Sequence, residues 1–120
     1  MQNYRINLDV KFDALERIDV AGEAAAVDPW TNQTLTQVND SVVRLGVIEG
    51  DFHWHKHDAE DEFFLVLEGA LTIEIEGRAP AQLSPGQGVV IPAGVRHFPR
   101  ARGRTVVLLV EKATVEPTGD

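Results

Sequence analysis

"FHWHKHDAEDE", residues 52–62, holds three of the chain's four histidines at every second position and closes on a glutamate. In an extended segment, side chains alternate between two faces, so His53, His55 and His57 share one face and Trp54 and Lys56 the other. Same-face neighbours on a strand lie about 6–7 Å apart at the backbone. Two imidazoles at that separation can converge on one ion at about 2.1 Å from each nitrogen. "DAED" then reads as a polar turn that can bring Glu62, at the head of "EFFLVL", back beside the histidines. Phe64 and Val66 have the parity of Glu62 and would line the same interior. The competing reading is a solvated polar loop with no ion.

Outward from this segment the chain reads as short strands and turns. "SVVRLGVIEGD" (41–51) predicts a strand, and "EFFLVLEGALTIEIEG" (62–77) a hairpin turning at Glu68-Gly69. "LSPGQGVVIPAGVRHF" (83–98) predicts a turn at Pro85-Gly86, a short strand and a second turn at Pro92-Ala93-Gly94. "RTVVLLVEK" (104–112) is a last long strand, and "TVEPTGD" (114–120) a polar tail. Short strands punctuated by Gly and Pro predict an all-β sandwich or barrel. Upstream, the spacing of Leu8, Phe12, Leu15 and Ile18 suits a short amphipathic helix. "AGEAAAVDPWTNQT" (21–34) is a loose connection with Pro29 and Asn32 as breakers. The organisation expected is an N-terminal arm over residues 1–32 and a β-barrel domain over 33–120. "FFLVL" (63–67) and "VVLLV" (106–110) are apolar on both faces, so their outer face needs a cover. The folded-back arm and a second subunit are both expected to supply it, which makes the chain a homodimer.

Composition narrows the chemistry. At 120 residues the chain is long enough for one domain with a core of its own. It has no cysteine, so disulfide frameworks and thiolate metal sites are excluded, and any metal must be held by nitrogen and oxygen. A net charge of −8 argues against a nucleic-acid partner, which would require a basic surface. The opening "MQNYRINLDVKF" lacks an apolar leader core and no apolar run approaches membrane length. The expectation is a cytoplasmic protein without a membrane partner.

His55-Lys56-His57, four residues, Glu62, six residues and Gly69 resemble the first cupin motif. Gly86, five residues, Pro92-Ala93-Gly94, two residues and His97 resemble the second, in the right order and over residues 40–112. Two positions depart from the pattern. Gly50 stands five residues before His55 rather than six, and Ala101 occupies the place where the second motif usually ends in Asn. The resemblance implies a cupin-type jelly-roll barrel in which His55, His57, Glu62 and His97 bind one divalent metal. Three imidazoles and a carboxylate suit Fe, Mn, Ni, Zn, Co and Cu about equally. Four protein donors would leave two positions of an octahedral ion open, as in a catalytic site.

The function expected from the resemblance is an enzyme acting on a small polar organic molecule, as a dioxygenase or as an isomerase or lyase. The alternative is a non-catalytic, metal-containing module that binds or senses a small ligand. A storage protein would not need interior histidines. His53 shares the parity of the proposed ligands and is the candidate for proton transfer, for a hydrogen bond to a ligand, or for an alternative ligand. Its bland reading is a half-buried histidine at the barrel mouth. Trp54 is expected in the outer cover and Phe52, Phe64 and Phe98 in the core. Arg96, Arg100, Arg102 and Arg104 fall at even positions facing away from the metal, as solvated surface or subunit ion pairs.

Overall fold

The computed structural model describes residues 4–120. Eight strands and one short helix follow in the order β1 (Arg5–Asn7), α1 (Val20–Ala25), β2 (Thr31–Val38), β3 (Ser41–Asp51), β4 (Glu62–Glu68), β5 (Leu71–Ile75), β6 (Arg78–Leu83), β7 (Gly88–Ile91) and β8 (His97–Lys112). The sheet runs β1-β2-β3-β8-β4-β7, and β5 joins through β8 and carries β6. This is the all-β barrel that the strand and turn pattern predicts. Among the described residues no helix is long and apolar enough to cross a membrane.

Alternation along the strands sets two cores. Phe64, Val66, Leu71, Ile73, Ile91, Val107 and Leu109 point inward and pack with Trp30 and Ile48. On the opposite face of β2, β3 and β8, Leu35, Leu45, Val47 and Val106 form a second buried cluster. The arm covers it with Phe12, Ile18, Val20, Ala24 and Val27. Apolar residues on both faces of β3 and β8 are therefore explained here by the arm.

The helix lies elsewhere than the spacing of Leu8, Phe12, Leu15 and Ile18 predicts. That stretch is extended: Lys11 and Phe12 donate backbone hydrogen bonds to the carbonyls of Thr34 and Leu35. Asn7 Oδ1 accepts from the Asp9 N–H and Glu16 Oε1 from the Asp13 N–H, as such side chains do in turns. Leu15 stands in the left-handed region at φ 72° and is fully exposed. Helix α1 starts instead where Asp19 accepts from the Gly22 N–H at 3.1 Å and caps it.

A second difference concerns residues 62–77, which do not form a hairpin. β4 pairs with β7 and with residues 106–111 of β8, whereas β5 pairs with β6 and with residues 97–100 of β8. The chain turns a corner at Gly69, whose φ is +86°. A Cβ there would stand 2.5 Å from Thr105 Oγ1 and 2.7 Å from the Arg104 carbonyl. Only glycine combines that backbone conformation with so close an approach to β8.

Candidate metal centre

The segment at 52–61 is less regular than a strand. β3 ends with Gly50 opposite Ala101 and Asp51 opposite Arg100. Next on β8 comes Pro99, which accepts from the Phe52 N–H but has no N–H to return. The ladder lapses and resumes for a single bridge, where His55 and His97 exchange backbone bonds of 3.0 and 2.8 Å. That bridge fixes two imidazoles side by side, with ring centroids 4.2 Å apart. His57 is anchored by its carbonyl, which accepts from the Gly94 N–H at 2.8 Å. Glu62 heads β4, between Ile91 of β7 and Glu111 of β8.

The four side chains come together. One possible ligand atom from each of His55, His57, Glu62 and His97 lies within 4.8 Å of all the others, and all four residues are buried. The tautomers follow from the hydrogen bonds. His55 Nδ1 donates to the His53 carbonyl at 3.0 Å, and His97 Nδ1 to the Val95 carbonyl at 2.9 Å. Each neutral ring then presents Nε2 as a lone pair. His97 Nε2 meets Glu62 Oε1 at 3.3 Å, an acceptor against an acceptor. Only a proton or a cation between them removes that conflict. Both ring nitrogens of His57 are buried without a hydrogen-bond partner among the described residues, and its Nε2 stands 3.5 Å from the same oxygen. Buried polar atoms are rarely left so. The donor set thus fits a divalent ion.

Titration agrees with this picture. Burial, reinforced by the neighbouring imidazoles, lowers His55 to about 4, so it is neutral at pH 7. Glu62 would be raised by burial, but the His57 and His97 imidazoles and the Glu111 carboxyl beside it hold it well below the usual carboxylate range. Burial likewise opposes charge on His57, yet the Glu62 carboxylate 3.5 Å from its Nε2 raises it above the ordinary histidine value. In chelator-treated protein the two histidines act with opposite signs. The unfolded chain takes up a proton at residue 55 below pH 6.5 while the folded chain does not until about 4. Stability is therefore lost as pH falls through that window, by up to about 3 kcal/mol from this group. His57 contributes stability that is lost as pH rises above the histidine range. The His55 effect is read as the difference in urea midpoint between wild type and His55→Gln from pH 7 to pH 4; parallel curves would contradict it.

Behind Glu62 lies a polar row that the sequence reading missed. Arg44, 1% exposed, donates from Nε to Thr34 Oγ1 at 3.0 Å and from Nη1 to Glu111 Oε2 at 2.7 Å. Glu111 stands opposite Glu62 across the ladder. Burial and then the Glu62 charge push the Glu111 carboxyl up to about 9, against the pull of Arg44. Its Oε2 accepts from Arg44, and its Oε1 is buried without a hydrogen-bond partner among the described residues. Parity was the available signal: Arg44 falls in step with Val42 and Gly46, and Glu111 with Val107 and Leu109.

His53 stands beside this group but outside it. Its ring stacks on Phe52 at 3.9 Å between centroids, and its Nε2 bonds the Thr118 carbonyl at 2.7 Å. The tail, expected only as polar, folds back over this mouth: Asp120 N–H donates to the Lys56 carbonyl, and Pro117 lines the cavity beside the site. Trp54 is on the outer face, edge-on to Phe98 with Arg96 over its ring. Phe98 thus belongs to that outer cover rather than to the core, because its neighbour His97 takes the inward position. Arg96, Arg100 and Arg104 pair with Glu76, Glu74 and Glu68 within the chain.

A cavity of about 70 Å³ opens from the site toward β2, walled by Trp30, Phe52, Phe64, Ile48 and Leu109 and reaching His55 and Glu62.

The Cupin domain family model matches residues 41–111. YdbB of Bacillus subtilis (strain 168) is 41% identical over 85 residues, 71% of this chain and 75% of that protein. A cupin-2 domain containing protein from Shewanella frigidimarina NCIMB 400 superposes with a TM-score of 0.75 at 31% identity, over 79% of this chain and 93% of its own. Hydroquinone 1,2-dioxygenase from Sphingomonas sp. TTNP3 also gives 0.75, at 21% identity, over 84% of this chain and 33% of its own. The last likeness is one of fold alone.

Proposed function

The chain belongs to the cupin domain family, and from that premise we propose that His55, His57, Glu62 and His97 hold one divalent metal ion in an oxygenase-type enzyme whose substrate is a small molecule in the adjoining cavity. The opposed lone pairs of His97 Nε2 and Glu62 Oε1 carry this reading, since a cation between them turns a conflict into two ligand bonds. An ion so held supplies Lewis acidity toward a substrate oxygen and, if it is iron, redox chemistry with O₂.

The surrounding residues divide the remaining work. The carbonyls of His53 and Val95 fix the ligand tautomers. Trp30, Phe52 and Phe64 keep water from the cavity's inner end. Isomerisation or elimination needs a base beside the substrate. Among the described residues, the titratable groups lining the cavity are Tyr4, His55 and Glu62. The last two are ligands in this reading, and burial raises Tyr4 so that it stays neutral. His53, the candidate for proton transfer, has its Nε2 engaged by Thr118 and does not line the cavity. This favours the oxygenase over the isomerase or lyase type.

The test is anaerobic titration with Fe(II), followed by oxygen-electrode measurements with small aromatic alcohols. Uptake of about one iron per chain and O₂ consumption requiring both iron and organic molecule are expected. Metal and ligand binding without turnover would leave a binding or sensing module. Absence of metal uptake would overturn the ligand assignment.

We further propose that the chain forms a homodimer. Val90, Phe63 and Val110 lie in one outward row across β7, β4 and β8, with Val90 and Val110 exposed and outside the arm's cover. Light scattering should give twice the chain mass, and Val110→Lys should halve it; a monomeric wild type would remove the proposal.

A further inference from the structure

Two residues that line the cavity beside the metal centre hold polar atoms that make no hydrogen bond within the fold. Trp30, 7% exposed, has its indole Nε1–H buried without a partner among the described residues, and so has Asn32 its Oδ1. Both residues line the cavity. Asn32 is on β2, and Trp30 immediately precedes that strand. One atom is a donor and the other an acceptor. A buried donor or acceptor left unmade is costly, and two in one small space mark where a ligand's polar end fits.

The rest of the wall sets the ligand's body. Tyr4, Trp30 and Phe52 pack ring against ring, with centroids 4.9 to 5.5 Å apart, and Phe64, Ile48, Val107 and Leu109 continue the apolar surface. No lysine or arginine lines the space among the described residues, so a carboxylate or phosphate lodged there would be desolvated without a counter-charge. Its volume, about 70 Å³, compares with roughly 10–15 Å³ for one water by the same kind of measure, so it admits about five to seven non-hydrogen atoms, the size of a single small ring.

Deepening the oxygenase reading, on which it rests, we propose that the cavity selects a small, neutral, hydroxylated molecule with an apolar, ring-like body. The hydroxyl oxygen accepts from Trp30 Nε1–H and the hydroxyl proton goes to Asn32 Oδ1. The body lies against Phe52 and Phe64, with its far edge toward His55 and Glu62. A hydroxyl is the simplest single group that both accepts and donates.

The experiment follows the two indole N–H resonances of the chain's two tryptophans by ¹H–¹⁵N NMR, on zinc-loaded and on chelator-treated protein, during titration with phenol, toluene or benzoate. Trp30→Phe assigns the resonances. Phenol should shift the Trp30 indole signal and leave that of Trp54 in place. It should bind roughly tenfold more tightly than toluene, the usual worth of one or two buried hydrogen bonds, and benzoate should not bind in chelator-treated protein. Trp30→Phe and Asn32→Leu should each weaken phenol roughly tenfold and leave toluene unchanged. Equal binding of phenol and toluene, or a Trp30 signal that no probe moves because water satisfies it, would overturn the proposal. The readout needs no turnover: phenol selectivity without metal uptake would sink the metal reading and leave this one standing.

Discussion

A His57→Ala/His97→Ala variant should fold and fail to take up stoichiometric divalent metal. His57 makes no side-chain hydrogen bond among the described residues, and His97 makes one to the Val95 carbonyl and the opposed contact with Glu62. Little folding energy is therefore removed with the rings, apart from the cavity they leave. Metal affinity should suffer far more. Loss of a residue that merely hydrogen-bonds a ligand costs about 10–100-fold, and two donors removed together should exceed that by orders of magnitude. Competition against a chromophoric chelator measures the affinity. Thermal melts with and without metal give an independent reading. Wild type should gain about 4 kcal/mol at a thousandfold excess over Kd, and the variant nothing. A variant that still binds one ion tightly would place the metal elsewhere.

Arg44→Met is expected to be the most destabilising single substitution behind the site. Arg44 is the sole cation in the buried row with Glu111 and Glu62, and it also donates to the Val115 carbonyl at 2.9 Å. Taking it away leaves Glu62 charged and buried beside a second carboxyl. Removal of one partner from a buried pair costs about 3–5 kcal/mol. Urea denaturation should show this as a lower midpoint at unchanged slope. The double variant Arg44→Met/Glu111→Leu should recover much of the loss, because an apolar replacement of both partners is often close to neutral. It would still remove the carboxyl that stands opposite Glu62, so metal affinity should remain about 10–100-fold weaker. Full recovery of both stability and affinity would mean that Glu111 does not hold Glu62 in place.

The parts of this protein legible in sequence were those with a short-range signature. Alternation revealed β3 and β8, and glycines marked the corners, Gly69 among them. The spacing His55, His57, Glu62 and His97 picked out side chains that the fold does gather. What escaped depended on contacts distant in the chain. Leu8 to Ile18 have helical spacing, yet they serve as an extended cover because β2 offers them backbone partners at Thr34 and Leu35. Residues 62–77 look like a hairpin locally, yet β4 and β5 each pair with a different stretch of β8. Trp30, Asn32 and Pro117 reach the cavity from both ends of the sequence, and no local pattern marks them as neighbours.

Strand β8 also orders events in time. It joins three pairs that the earlier chain can form without it: β2 with β3, β4 with β7, and β5 with β6. Until its 16 residues have been synthesised, each pair keeps an open edge, and the inner surfaces face water. The donors follow the same schedule. His55, His57 and Glu62 emerge early, whereas His97 opens β8 and Glu111 nearly ends it. The fourth proposed donor, His97, and the buried Glu111 opposite Glu62 thus arrive on the strand that seals the barrel, so the candidate site is complete only when the fold is.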